Sequence, residues 1–236
     1  VQTRIGQEQE TSLKKIIIGD IHGCSDELNK IICKTNFSSG TDKLFLTGDA
    51  FARGPDPLGV WQTIVEHQAQ MVMGNHDIRL LEQLRIVLAG KDTGHLKSDQ
   101  LYTIRQLEAV HTEIFHWLSS CPLYIETEYF LLVHAGINPV RGLPGTSFEE
   151  FISIRNWPKK KDLLDGPRWH DFYEKKYPLL IFGHDAPKGL VIKKHKGRTY
   201  LLGLDTGCVY GGKLTAYSIE DEMLVQVESK QQQQFQ

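Results

Sequence analysis

Through its first ninety or so residues the chain repeats one pattern: a short apolar run, a turn rich in Gly and Asp, then an amphipathic stretch. The apolar runs cover 15–18, 43–46 and 70–73, and the amphipathic stretches that follow cover 25–34, 57–67 and 77–88. β-Branched and apolar runs of this length predict buried strands, and apolar positions at three- and four-residue spacing predict helices. Strand, loop and helix in regular succession imply parallel strands with right-handed crossovers, which place their functional loops at the carboxyl ends of the strands. A longer helical stretch is predicted over 99–119, where Leu101, Ile104, Leu107, His111, Ile114 and Leu118 share one face.

The second half is richer in strands, predicted over 123–125, 130–133, 179–182, 199–204, 214–218 and 223–227. Mixed strands after an α/β half predict two sheets packed face to face with helices outside. No domain boundary interrupts residues 14–228. The polar residues 1–13 and the glutamine-rich residues 229–236 read as flexible ends. Residues 142–177, with several prolines and the run Lys159-Lys160-Lys161, read as a surface excursion of the kind that often carries substrate contacts.

Composition narrows the function classes. A net charge of −2 over 236 residues gives no global pull towards nucleic acid or an anionic membrane, so a polyanionic substrate requires a local site. No stable nucleic-acid complex and no membrane partner are expected. The four cysteines, Cys24, Cys33, Cys121 and Cys208, form no Cys-x-x-Cys pair and are read as reduced thiols. No apolar stretch approaches the roughly 18 to 20 residues of a membrane span, and the cytoplasm is the default compartment. The chain starts with Val, so a removed targeting segment is compatible with it. Oligomeric state has no signature in the sequence.

The predicted strand ends carry the chemistry. Asp20 and His22 follow the first strand, Asp49 the second, and Asn75, His76 and Asp77 the third. The apolar runs before His134 and His184 end in the same way. Any one of these is ordinary at a turn or helix cap. Together they form a ligand set of imidazole, carboxylate and amide that suits manganese, iron or zinc better than calcium or magnesium. Asp77, at the start of a helix, reads as a charge on the helix N-terminus. Trp169 and Tyr173 can stack on a base, with packing the commoner role, and His170 beside them is the one further histidine of interest. The basic run 193–198 reads as a solvated turn.

The motifs GDIHG, GDAFARG, GNHD, VHAG and GHD, in this order, resemble the phosphoprotein phosphatase branch of the calcineurin-like metallophosphoesterases. The resemblance implies a β-sandwich flanked by helices with a dinuclear metal site at strand ends. Asp20 and His22 then bind one divalent ion, Asp49 bridges, and Asn75, His134 and His184 bind the second, with manganese first and iron, zinc or a mixed pair as alternatives. Catalysis is then attack by a metal-bridging hydroxide. His76 protonates the leaving oxygen, and Arg53 and Asn75 hold the phosphate. A further phosphate-binding arginine is expected at Arg168, after Gly166-Pro167, or at Arg155.

One departure narrows the group. Protein phosphatases read GDxVDRG at the second motif, whereas this chain has Ala52-Arg53-Gly54, which is similar to the ApaH-like phosphatases, whose bacterial founders split diadenosine tetraphosphate symmetrically. The stretch from Leu204 to Ala216 is similar to the same group. The resemblance therefore implies a substrate among dinucleoside polyphosphates or related nucleotide anhydrides. The alternatives are a serine/threonine or tyrosine phosphoprotein phosphatase, a polyphosphatase, and an inactive phosphate-binding scaffold.

Overall fold

The computed structural model describes residues 13–158, 166–175 and 177–232. The Lys159-Lys160-Lys161 run and nearly all of the N-terminal segment lie outside the described residues.

Three strands, β1 (Lys15–Ile18), β2 (Lys43–Leu46) and β3 (Gln70–Met71), lie parallel and alternate with α1 (Ser25–Lys34) and α2 (Pro57–Glu66). Helix α2 starts where its sequence dictates: Pro57 occupies the first turn, where no N–H partner is lost, and the Asp56 carboxylate accepts from Gly59 N at 2.8 Å. Helix α1 carries Asp26 and Glu27 in its first turn and Lys34 in its last, the arrangement the helix dipole favours. β3 leads into α3 (Asn75–Leu88), followed by α4 (Ser98–Gln106) and α5 (His111–Ser120).

The remaining elements are β4 (Tyr124–Glu126), β5 (Leu131–Val133), α6 (Phe148–Ser153), β6 (Leu180–Phe182), β7 (Val191–His195), β8 (Arg198–Gly203), β9 (Lys213–Ser218) and β10 (Met223–Glu228). They complete two five-stranded sheets, ordered β10-β9-β1-β2-β3 and β4-β5-β6-β8-β7. In the second sheet β5, β6 and β8 are parallel and the two edge strands antiparallel.

The sheets pack face to face, as expected. Ile17, Phe45 and Val72 from the first sheet meet Leu132, Ile181 and Leu202 from the second in one buried layer. Their neighbours Ile16, Ile18, Leu44 and Leu46 point the other way, into a core shared with α1, α2, α3 and α5. Strands buried on both faces explain why the first runs read as continuously apolar. Trp169 and Tyr173 are buried under the second sheet with Phe151 and Phe182, so their role is packing.

Two differences have local causes. The predicted helix 99–119 breaks at a 3₁₀ turn, Glu108–Val110, which lets α5 pack on α3 while α4 reaches α2. The basic run 193–198 is the exposed end of a hairpin: the solvated turn is confined to Lys196 and Gly197, both at positive φ, and joins β7 to β8. Among the described residues no helix is long and apolar enough to cross a membrane.

Candidate metal centre

Parallel strands in both sheets point their carboxyl ends to one rim. Beyond β1, β2 and β3 come Asp20 and His22, Asp49, and Asn75 and His76; beyond β5, β6 and β8 come His134, His184 and Asp205. Backbone bonds lock the loops together: His22 N donates to Asp49 O at 2.9 Å and Gly23 N to Ala50 O at 2.8 Å. The approach is close enough that a Cβ on Gly54 would lie 1.8 Å from His22 O, so glycine is required there. His22, Asp49, Arg53 and His184 all have positive φ, at 49°, 51°, 75° and 69°. Left-handed backbone at four non-glycine residues costs on the order of 1 kcal/mol each and marks a site held by its surroundings.

Asp49 lies at the centre. Its Oδ2 is 3.7 Å from His22 Nε2 and 3.6 Å from His134 Nε2, while its Oδ1 accepts from His76 N at 2.9 Å. Two groups of potential ligand atoms result, each within 4.8 Å mutually: Asp20, His22 and Asp49, and Asp49, His134 and His184. Asn75 Oδ1 faces His134 Nε2 at 3.2 Å, which adds it to the second group. Asp20 is aimed by Thr47 Oγ1, donating at 2.7 Å, and by His184 N, donating at 3.0 Å.

The donor set fits cations. His134 Nδ1 lies 2.8 Å from the Thr47 carbonyl and, by that geometry, donates to it. In a neutral imidazole that leaves Nε2 a lone pair, facing the oxygens of Asp49 and Asn75 with no proton between. His184 Nε2 is buried without a hydrogen-bond partner. Burial pushes the proton affinity of His22, His134 and His184 below the ordinary histidine range, so they are neutral and able to act as ligands. Burial, followed by the charges of Asp205 and Asp49, holds the Asp20 carboxyl well above its usual range. Burial also pushes Asp49 up to about 7. Buried acceptors that raise one another's cost of ionisation are what divalent ions relieve.

Two carboxylates emerge beyond the expected ligands. Asp77, expected as a simple helix-end charge, accepts from Gly74 N at 3.0 Å but also from Asp49 N at 2.6 Å and Ala50 N at 3.2 Å, so it holds the Asp49 loop. The exchange is reciprocal, because Asp49 bonds the first turn of α3 and starts the helix at Asn75 rather than 77. Asp205 lines the same pocket, buried and pushed up to about 6 by burial, with Asp49 adding to the rise. Its signal was an acid just beyond an apolar strand, the same one that identified the other loops.

His76 lies edge-to-face against His22, with centroids 5.1 Å apart. Burial, then Arg53 and Arg79, brings it down to about 3. Among the described residues no carboxylate bonds its imidazole, consistent with Ala52 in place of the usual acid. The pocket, about 680 Å³, is lined by Asp20, His22, Asp49, Asn75, His76, His184 and Asp205 and by Arg53, Arg79 and Arg155. Arg168 is not in it. That side chain is 1% exposed, with Nε 2.6 Å from Asp185 Oδ2 and Nη2 3.1 Å from Oδ1. Of the two expected candidates, Arg155 faces the pocket, with Nη2 donating to His184 O at 3.0 Å.

The sequence pattern of the calcineurin-like phosphoesterases matches residues 13–205. The chain belongs to that family. Calcineurin-like phosphoesterases use a dinuclear divalent metal site, and this one is a metal-dependent phosphoric ester or anhydride hydrolase. Among curated relatives, the symmetrical bis(5'-nucleosyl)-tetraphosphatase of Vibrio parahaemolyticus is 28% identical over 88% of this chain and 96% of its own length. That of Neisseria meningitidis is 30% identical over 90% of this chain and 94% of its own. A crystal structure described as that of a candidate diadenosine tetraphosphatase superposes with a TM-score of 0.75 at 28% identity, covering 93% of this phosphoesterase and 95% of the other chain. A protein-tyrosine phosphatase from a psychrophilic Shewanella, at 17% identity and a TM-score of 0.55, shares the fold.

Proposed function

We propose that this phosphoesterase hydrolyses dinucleoside polyphosphates or related nucleotide anhydrides. In this reading Asp20, His22 and Asp49 hold one divalent ion, and Asp49, Asn75, His134 and His184 hold the other. The pair supplies positive charge to the phosphoryl group and an activated water. Manganese is the metal proposed.

The observation that carries the substrate class is the ring of Arg53, Arg79 and Arg155 around one pocket. A monoester presents one phosphoryl group, which two metals and a single forked guanidinium already engage; three guanidinium groups match a chain of several phosphates. The same ring bears on His76. Burial, then Arg53 and Arg79, hold its proton affinity down, and a bound polyphosphate offsets the two charges, which favours the protonated imidazole that donates to the leaving oxygen. The relatives named as tetraphosphatases support the reading.

The test compares kcat/KM for diadenosine tetraphosphate, inorganic polyphosphate, a phosphopeptide and an aryl phosphate, on protein stripped of metal and reloaded with manganese, iron or zinc. The expected result is highest kcat/KM for diadenosine tetraphosphate, with ADP as sole nucleotide product and manganese the best metal. Preference for the phosphopeptide overturns the substrate assignment.

A further inference from the structure

Arg53 and Tyr210 stand on a ridge between two clefts. The guanidinium lies over the Tyr210 ring, 5.5 Å from its centroid, and Arg53 Nη1 donates to the Tyr210 hydroxyl. On one side is the metal pocket; on the other is a cleft of about 660 Å³, which shares Arg53 and Tyr210 with it. Both fall within the ~300–1,000 Å³ typical of small-molecule sites.

The far cleft has a different chemistry. Val209 is its aliphatic lining, and its polar groups besides Arg53 and Tyr210 are the Ser98 hydroxyl, the half-buried carboxylate of Asp99 and the amides of Gln231 and Gln232. Among the described residues Arg53 is its only cationic lining. A carboxylate repels phosphate but accepts hydrogen bonds from a vicinal diol, and a primary amide offers the paired donor and acceptor that match a base edge. The wall carrying the glutamines is anchored rather than loose. Ser229 N donates to Gly212 O at 2.9 Å, Lys230 N to Glu27 Oε1 at 2.6 Å, and Gln231 N to Ser229 Oγ at 2.9 Å; Lys230 Nζ also pairs with Asp26. The start of a tail whose composition reads as flexible is thus held to the body of the protein at Ser229 and Lys230, immediately before the two glutamines.

We infer that this cleft is a nucleoside subsite: it takes the ribose and base at one end of a dinucleoside polyphosphate whose phosphate chain crosses the Arg53–Tyr210 ridge from the metal pocket. The inference rests on the substrate reading given above. Cleavage in the middle of a tetraphosphate leaves a nucleoside on each side of the attacked bond, so such an enzyme gains from a second nucleoside site beyond the phosphate clamp.

The experiment measures, in one enzyme preparation, kcat/KM for diadenosine tetraphosphate and for adenosine 5'-tetraphosphate, which lacks the second nucleoside. The variants are Asp99→Asn and the double change Gln231→Ala, Gln232→Ala. The ratio is insensitive to misfolded protein. It also separates this role from an effect of Asp99 on the nearby Arg53 charge, which would move both substrates alike. We expect each variant to lower the ratio about tenfold, through KM for the dinucleotide rather than kcat. A ratio within twofold of wild type in both variants overturns the subsite while leaving the metal-pocket reading intact. A wild-type enzyme that cleaves neither nucleotide overturns both.

Discussion

Two arginines flank Asp185, and they do different work. Arg168 is buried and pairs with both carboxylate oxygens, whereas Arg155 approaches only to 3.8 Å and extends into the metal pocket. Removing one partner of a buried ion pair leaves the other charge uncompensated, at a cost of about 3–5 kcal/mol. Arg168→Ala is therefore expected to lower the melting temperature by about 10 °C, given ~2–4 °C per kcal/mol at this size. Arg155→Ala should leave it within about 2 °C while raising KM about tenfold; thermal melts beside steady-state kinetics check this, and the opposite pattern would reverse the assignment. The sequence supported either arginine, because a guanidinium reads as exposed and its burial here depends on Asp185, a carboxylate distant in sequence. The aspartates and histidines were legible for the opposite reason: each follows an apolar run, and the end of a strand is a local feature. What stayed hidden was their backbone, since nothing about His22, Asp49, Arg53 or His184 as residue types announces positive φ.

At the scale of elements, β1 and β2 and the first two helices lie where apolar spacing put them, because their burial follows from local pattern alone. β7 was missed. Its lysines and histidine conceal an edge strand whose pairing with β8 is set by the turn at Lys196 and Gly197. Ligand convergence is also a property of elements, as strands of two separate sheets must end within one side chain of each other. Gly183, just past β6, meets the end of β1: a Cβ there would lie 2.0 Å from Asp20 Oδ1 and 2.8 Å from Thr47 Oγ1. Gly183→Ala must displace Asp20 from the hydrogen bonds that aim it, an orienting shell worth about 10–100-fold in metal affinity. Manganese titration by calorimetry is expected to show a loss of that size; unchanged affinity would mean that Asp20 holds no metal.

For the molecule as a whole, burying so many ionisable groups at one rim ties folding to metal and pH. Asp49 and Asp77 are pushed up to about 7 and Asp205 to about 6, against ~3.9 in an unfolded chain. A carboxyl raised in this way binds its proton more tightly in the folded state, so the stability it lends is full below about pH 4 and is lost as pH rises through the folded value. His22, His76, His134 and His184 are shifted down and oppose folding wherever the unfolded chain takes up their protons, which begins below about pH 7.5 and is half complete near 6.5. Between pH 6.5 and 8 the carboxylates cost on the order of 1–2 kcal/mol and the four histidines return about as much, so the melting temperature of the metal-free protein should stay within about 3 °C. Manganese should impose a rising slope, because it binds the deprotonated carboxylates and stabilises the fold by mass action, most strongly at the alkaline end. Thermal melts of chelator-stripped and manganese-loaded protein across that interval supply the check. A protein that gains nothing from manganese at pH 8 would mean that these buried acids are satisfied without a metal.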